Sequence, residues 1–193
     1  MTKTNESFEL GNASEKLFFE MARRRKYAIR KSNKQQNIYD HIDVFIERNN
    51  VKKSIDIKSQ KRETRHSTIQ DDWHVLEFIA VTYPITNEVQ LKNAFFNPLS
   101  PDFTIGSNRK GWLYGKCTHI AFELNYSFVL VKRETLLKLS SELIDFTKYV
   151  SHSKDAKYCV FSRKNRGDLI SYIHKNDFFD IADEIWIKPI ILT

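Results

Sequence analysis

The most regular pattern in the chain lies between positions 42 and 58. Ile42, Val44 and Ile46 alternate with Asp43, Phe45 and Glu47, and Ile55 and Ile57 alternate with Ser54, Asp56 and Lys58. A repeat of two places successive side chains on opposite faces of a strand. Two strands are therefore predicted, over residues 42–47 and 54–58, with the polar Glu47-Arg48-Asn49-Asn50 as the turn of a hairpin. Upstream, Leu17, Phe18, Met21 and Ala22 form one apolar helical stripe, and Ser14 can cap it. The spacing predicts a helix from residue 14 to about 27. Glu15 then falls in the first turn, where the helix dipole favours an acid. A short strand around residues 28–31 and a polar loop over 32–37 complete the N-terminal part.

Downstream the pattern is less regular. Residues 61–72 are polar and read as a loop, and residues 74–81 read as a strand. The stretch 97–115, with Pro98, Pro101, Gly106, Gly111 and Gly115, is the richest in loop formers. Residues 118–122 and 128–131 suggest a second antiparallel pair. Leu136, Leu137, Leu139, Leu143 and Ile144 give the apolar side of a helix over 134–146. A late strand is expected at 157–162 and a short helix at 168–174. There is no internal repeat and no long linker. The expected fold is α/β, a single domain over residues 1–193, with 117–193 packing on the same unit.

Composition narrows the function classes. A chain of 193 residues with 41% hydrophobic and 28% charged residues is long enough to bury a full core without disulfides. No apolar run approaches the ~18 residues that would cross a bilayer, and the first residues lack the apolar core of a signal peptide. A cytoplasmic protein with no membrane association is expected. Cys117 and Cys159 stand alone, so a zinc ribbon is excluded and two reduced thiols are expected. Lys and Arg outnumber Asp and Glu by 31 to 24, a net charge of +7. That excess favours a polyanionic partner, because every phosphate contact releases condensed counterions.

The same strands that define the pattern also carry the chemistry. Asp43 is followed thirteen positions later by Asp56-Ile57-Lys58 on the hairpin partner. Pleating puts Asp56 and Lys58 on one face, about 6.6–7 Å apart along the backbone, and Asp43 can lie across from Asp56. Two carboxylates converging with a lysine suit a hard divalent cation such as Mg²⁺, which takes oxygen ligands and keeps several waters. Against a phosphate, such an ion polarises P–O bonds and acidifies a water. Lys58 would position or deprotonate that water and offset transition-state charge, with positioning the stronger of the two roles.

Asp43…Asp56-Ile57-Lys58 resembles the bipartite motif of the PD-(D/E)XK nuclease superfamily, which includes restriction endonucleases and Holliday-junction resolvases. Gly11-Asn12-Ala13-Ser14-Glu15 is similar to the Gly-x-x-x-Glu helix start of many members. The resemblance covers about residues 11–61. It departs in having His41-Ile42 where a proline commonly precedes the first acid, and Asp where Glu is commoner in the middle. It implies a restriction-endonuclease-like core, a mixed β-sheet flanked by helices. It also implies Asp43, Asp56, the Ile57 carbonyl and Glu15 around a Mg²⁺ ion that Mn²⁺ can replace, and Lys58 as the catalytic lysine. The activity implied is DNA phosphodiester hydrolysis, endonucleolytic and leaving a 5′-phosphate. A homodimer is expected where both strands are cut.

Around this core, Gln60, Lys61, Arg62 and Arg65 are expected to contact nucleic acid. Arg23, Arg24, Arg25 and Lys26 span all sides of a helix end; they are candidates for phosphate contact, and the helix dipole alone also accounts for cations there. Arg163, Lys164 and Arg166 form a second basic turn, read either as a grip on the nucleic-acid backbone or as solvated charge. Asp40 and His41 are expected to cap a turn at the strand entry, with addition to the site from there as the alternative. His66 and His74 read as a loop and a strand histidine, and Trp112 and Tyr114 as packing residues that are also candidates for base stacking. The rival functions are a catalytically silent nucleic-acid-binding module of the same fold, an RNA-directed nuclease, and an interaction protein whose charges only solvate it.

Overall fold

The computed structural model describes residues 3–62, 68–79, 110–162 and 168–189. It is a mixed α/β fold built on a six-stranded sheet. Helix α1 (Lys3–Arg24) leads into strand β1 (Ala28–Lys31), the short helix α2 (Lys34–Asp40) and the hairpin β2 (Val44–Arg48) and β3 (Val51–Lys58). Strands β7 (His119–Glu123), β8 (Ser127–Lys132) and β12 (Ala182–Ile187) complete the sheet in the order β1-β2-β3-β7-β8-β12. The β3–β7 pair is parallel and the remaining pairs are antiparallel.

Each face of the sheet is covered. On one, Phe18, Met21 and Ala22 of α1 pack on Val44, Ile46, Ile55, Ile57, Phe128 and Trp186. Phe18 meets Phe128 edge-on at 5.3 Å and stacks on Trp186 at 4.8 Å. Fully buried side chains of this kind contribute about 1.5–3 kcal/mol each. On the other face Ile120, Phe122, Val129 and Val131 meet helix α3 (Arg133–Leu143), helix α4 (Lys175–Phe179) and the ribbon formed by β6 (Trp73–Ile79) and β11 (Leu169–His174).

Backbone chemistry sets the joints. Helix α1 ends with Lys26 in the left-handed region (φ 62), Lys26 N–H donating to Arg23 and Tyr27 N–H donating to Ala22. This is the 6→1 and 5→2 pairing of a Schellman ending. The β2–β3 hairpin turns through Asn49 and Asn50 at φ 53 and 63, the two positive values that a two-residue type I′ turn requires and Asn tolerates.

Several expectations are corrected. Helix α1 begins at Lys3, so Gly11 and Glu15 lie inside it and Ser14 is a buried helical residue rather than its cap; the dipole rationale for Glu15 falls. Within residues 32–37, Asn33 and Gln36 form a capping box that starts α2 in place of a loop. Residues 61–72 include a small ribbon of β4 (Lys61–Arg62) and β5 (Ile69–Gln70). Helix α3 ends at Leu143, and strand β9 (Asp145–Tyr149) pairs with the two-residue β10 (Cys159–Val160), which is shorter than expected. Residues 169–174 are a strand, because pairing with β6 lets Leu169, Ser171 and Ile173 enter the core. Helix α4 and strand β12 were not foreseen. Among the described residues no helix is long and apolar enough to cross a membrane.

Candidate functional site

The antiparallel register pairs Val44 with Ile55 and Phe45 with Ser54, so Asp43, one residue before β2, lies across from Asp56. Two interactions orient its carboxylate. Asn37 on α2 donates to Oδ1 at 2.6 Å, and the Ile57 N–H donates to Oδ2 at 2.6 Å. Asp56 is 3% exposed, and its Oδ2 forms an ion pair with the Lys58 ammonium at 2.8 Å. The Lys58 Nζ also lies 4.4 Å from the centre of the Trp112 ring, within cation–π range.

Strand β2 starts only at Val44, which leaves the β2-facing backbone of residue 57 beyond the ladder. Along β3 the even residues face β7, as the Ser54 carbonyl accepting from the Thr118 N–H shows. Ile57 therefore directs both its N–H and its carbonyl to the Asp43 side. The hairpin thus brings Asp43, Asp56, Lys58 and the Ile57 carbonyl to one rim of the sheet.

Charge at this rim is under tension. Burial pushes the Asp43 carboxyl up to about 6, and the facing Asp56, which shares a hydrogen bond with it, pushes in the same direction; the Ile57 N–H and Lys58 oppose them. Glu15, on the α1 side, is raised by burial and then by the charge of Asp43, with Lys31 pulling it down. Glu15 is thus within electrostatic reach of Asp43, but among the described residues no group of three or more His, Cys, Asp or Glu is gathered tightly enough to enclose an ion. The donor set on the rim is two carboxylates and a carbonyl. All are oxygens, which fits a hard cation that also draws on waters and phosphate.

The remaining residues of interest are distributed as follows. The Gln60 amide donates to Asp71 at 2.9 Å and to Asn125 at 2.7 Å, tying the end of β3 to two turns. The side chains of Lys61 and Arg62, and the whole of Arg65, His66, Arg163, Lys164 and Arg166, lie outside the described residues. Arg25 donates to the Met21 and Ile187 carbonyls, and Arg48 donates to the Arg25 carbonyl, so both brace the end of α1. His41 is the left-handed cap of α2 (φ 52), and Asp40 pairs with Lys116 at 2.9 Å, as expected of turn residues.

Burial holds His74 down to about 4, so its ring is neutral at neutral pH; Phe122 and Phe178 pack edge-on against it. Burial likewise pushes the Cys117 thiol up to about 12, with Asp56 adding to the effect, which removes it as a nucleophile near the carboxylates.

Sequence reading missed Asn37, because it fell in a stretch read as loop. The Asn33-x-x-Gln36 spacing was the available signal. It also gave Trp112 no part in holding Lys58, and nothing in local pattern indicates that contact. No family model, curated protein or solved structure matches the chain.

Proposed function

We propose that the protein is a divalent-metal-dependent deoxyribonuclease with a PD-(D/E)XK-like site, hydrolysing DNA phosphodiester bonds as an endonuclease. The observation that carries the reading is the register of the hairpin, which sets Asp43 opposite Asp56 with the Lys58 ammonium 2.8 Å from the latter. Support also comes from the order of elements: a helix, an antiparallel hairpin and further strands, as the resemblance implies. The net charge of +7 suits a polyanionic substrate.

In this reading Asp43, Asp56 and the Ile57 carbonyl would hold Mg²⁺ or Mn²⁺. The bound ion supplies polarisation of the phosphate and a more acidic water. The protein's own groups supply geometry. Asn37 and the Ile57 N–H fix the direction of the Asp43 carboxylate. Lys58, supported by Trp112, offers positive charge where negative charge builds on the phosphate. Glu15 contributes field from the α1 side. Cutting both strands of a duplex would use two copies of the chain.

Supercoiled plasmid incubated with Mg²⁺ or Mn²⁺ tests this. The wild type is expected to nick it. Asp56→Asn and Lys58→Ala are expected to lose about 10²–10⁴-fold in rate while still binding DNA. A second reading, a silent nucleic-acid-binding module, is favoured by the engagement of Lys58 with Asp56 and by the absence of a three-ligand cluster among the described residues. DNA binding without metal-dependent nicking by the wild type would establish that reading instead.

A further inference from the structure

The β6–β11 ribbon has one face sunk in the core, where Leu76, Phe78 and Ile173 are fully buried. Its other face, with Trp73 and Glu77 on β6 and Tyr172 on β11, borders a half-open cleft of about 360 Å³. Lys58 and Phe161 also line this cleft, so it opens directly beside the candidate catalytic lysine. Its volume is near the lower end of the ~300–1,000 Å³ typical of small-molecule sites, which suits one nucleotide and excludes a duplex, whose major groove alone is about 12 Å wide.

We propose that the cleft receives a single unpaired nucleobase adjacent to the phosphodiester that Lys58 faces. The inference deepens the nuclease reading and rests on it for the placement of that phosphate. A base has two flat apolar faces and a polar edge, and the cleft offers both complements. Trp73 is the stacking platform. Gln70 anchors its main chain, accepting from the backbone N–H at 2.7 Å and donating to the backbone carbonyl, and Tyr158 and His174 meet its ring edge-on at 5.4 and 5.2 Å. Glu77 stands beside Trp73 in the cleft wall and makes that part of the lining polar. Lys157 holds its ammonium 4.7 Å from the centre of the Trp73 ring, a cation–π contact that further fixes the indole. Aromatic stacking plus edge hydrogen bonds beside a phosphate-directed site is how proteins hold bases that have left the stack.

The test compares a perfect duplex with the same duplex carrying one bulged 2-aminopurine. In EDTA, binding to the wild type is expected to quench the 2-aminopurine and to favour the bulged duplex by at least about fivefold, the smaller end of what one stacked base contributes. With Mg²⁺, cutting is expected beside the bulge. Trp73→Ala should abolish the preference and Trp73→Phe should restore it; the quenching of the wild type stands independently of whether either variant folds. Equal affinity for both duplexes with no quenching overturns the inference. If the wild type then still nicks perfect duplex, the nuclease reading survives alone. Quenching and preference without cutting under any metal leave base binding in place and remove the nuclease reading.

Discussion

Asp43 occupies a position where burial and a facing carboxylate both oppose its ionisation, so its titration reports on the site. The folded protein keeps a proton on this group up to about pH 6, whereas the ordinary carboxylate value is 3.8. Between those values the folded state binds more protons than the unfolded chain, so stability falls as pH rises through the window and is flat above it. The loss is on the order of 1–3 kcal/mol, and Asp43→Asn should remove it from a urea-denaturation series across that range. A cation held by ionised Asp43 and Asp56 reverses the effect. At a hundredfold excess over its Kd an ion adds about 2.7 kcal/mol, which raises the Tm of a domain this size by about 5–10 °C. Differential scanning fluorimetry with Mn²⁺ should show that rise at pH 7.5, a much smaller one at pH 5, and its loss with EDTA.

At the scale of elements, α2 and the hairpin operate together, since Asn37 grips Asp43 from a helix of only 7 residues. A helix this short depends on its caps. Asn33→Ala removes the side chain that accepts from the Gln36 N–H, and should cost about 1 kcal/mol in a thermal melt. By loosening Asn37 it should also weaken the metal-dependent Tm rise.

The hairpin was legible because its alternation and its Asn-Asn turn agree. The face assignment of Asp56 and Lys58 followed from pleating alone. Other elements were less legible for identifiable reasons. Leu169, Ile170, Tyr172 and Ile173 satisfy a helical stripe as well as a two-sided strand, and only the partner β6 decides between them. Ser14 looks like a cap because Ser favours that position, yet it is buried against the sheet, a tertiary choice that local preference does not encode. The partners that Gln60 takes in the fold, Asp71 and Asn125, lie 11 and 65 positions away, beyond what a local pattern encodes.

Across the whole molecule the sheet separates two kinds of charge. A network on the α1 side joins Lys53 to Asp183 and Glu184 at 2.5 and 2.6 Å, with His119 3.2 Å from Asp183 and Tyr27 donating to Glu184. These groups satisfy one another across β3, β7 and β12 and hold the sheet together. Asp43 and Asp56 are different, since the two carboxylates face each other with the Lys58 ammonium against Asp56, a like-charge pairing that suits a further cation. The rim's composition thus sets it apart from the structural ion pairs elsewhere in the fold. The most direct test is a crystal structure of the protein soaked with Mn²⁺ at pH 7.5, read by anomalous scattering. The account predicts a single strong peak about 2.0–2.4 Å from carboxylate oxygens of both Asp43 and Asp56; crystals that diffract well and show the metal elsewhere, or nowhere, would contradict it.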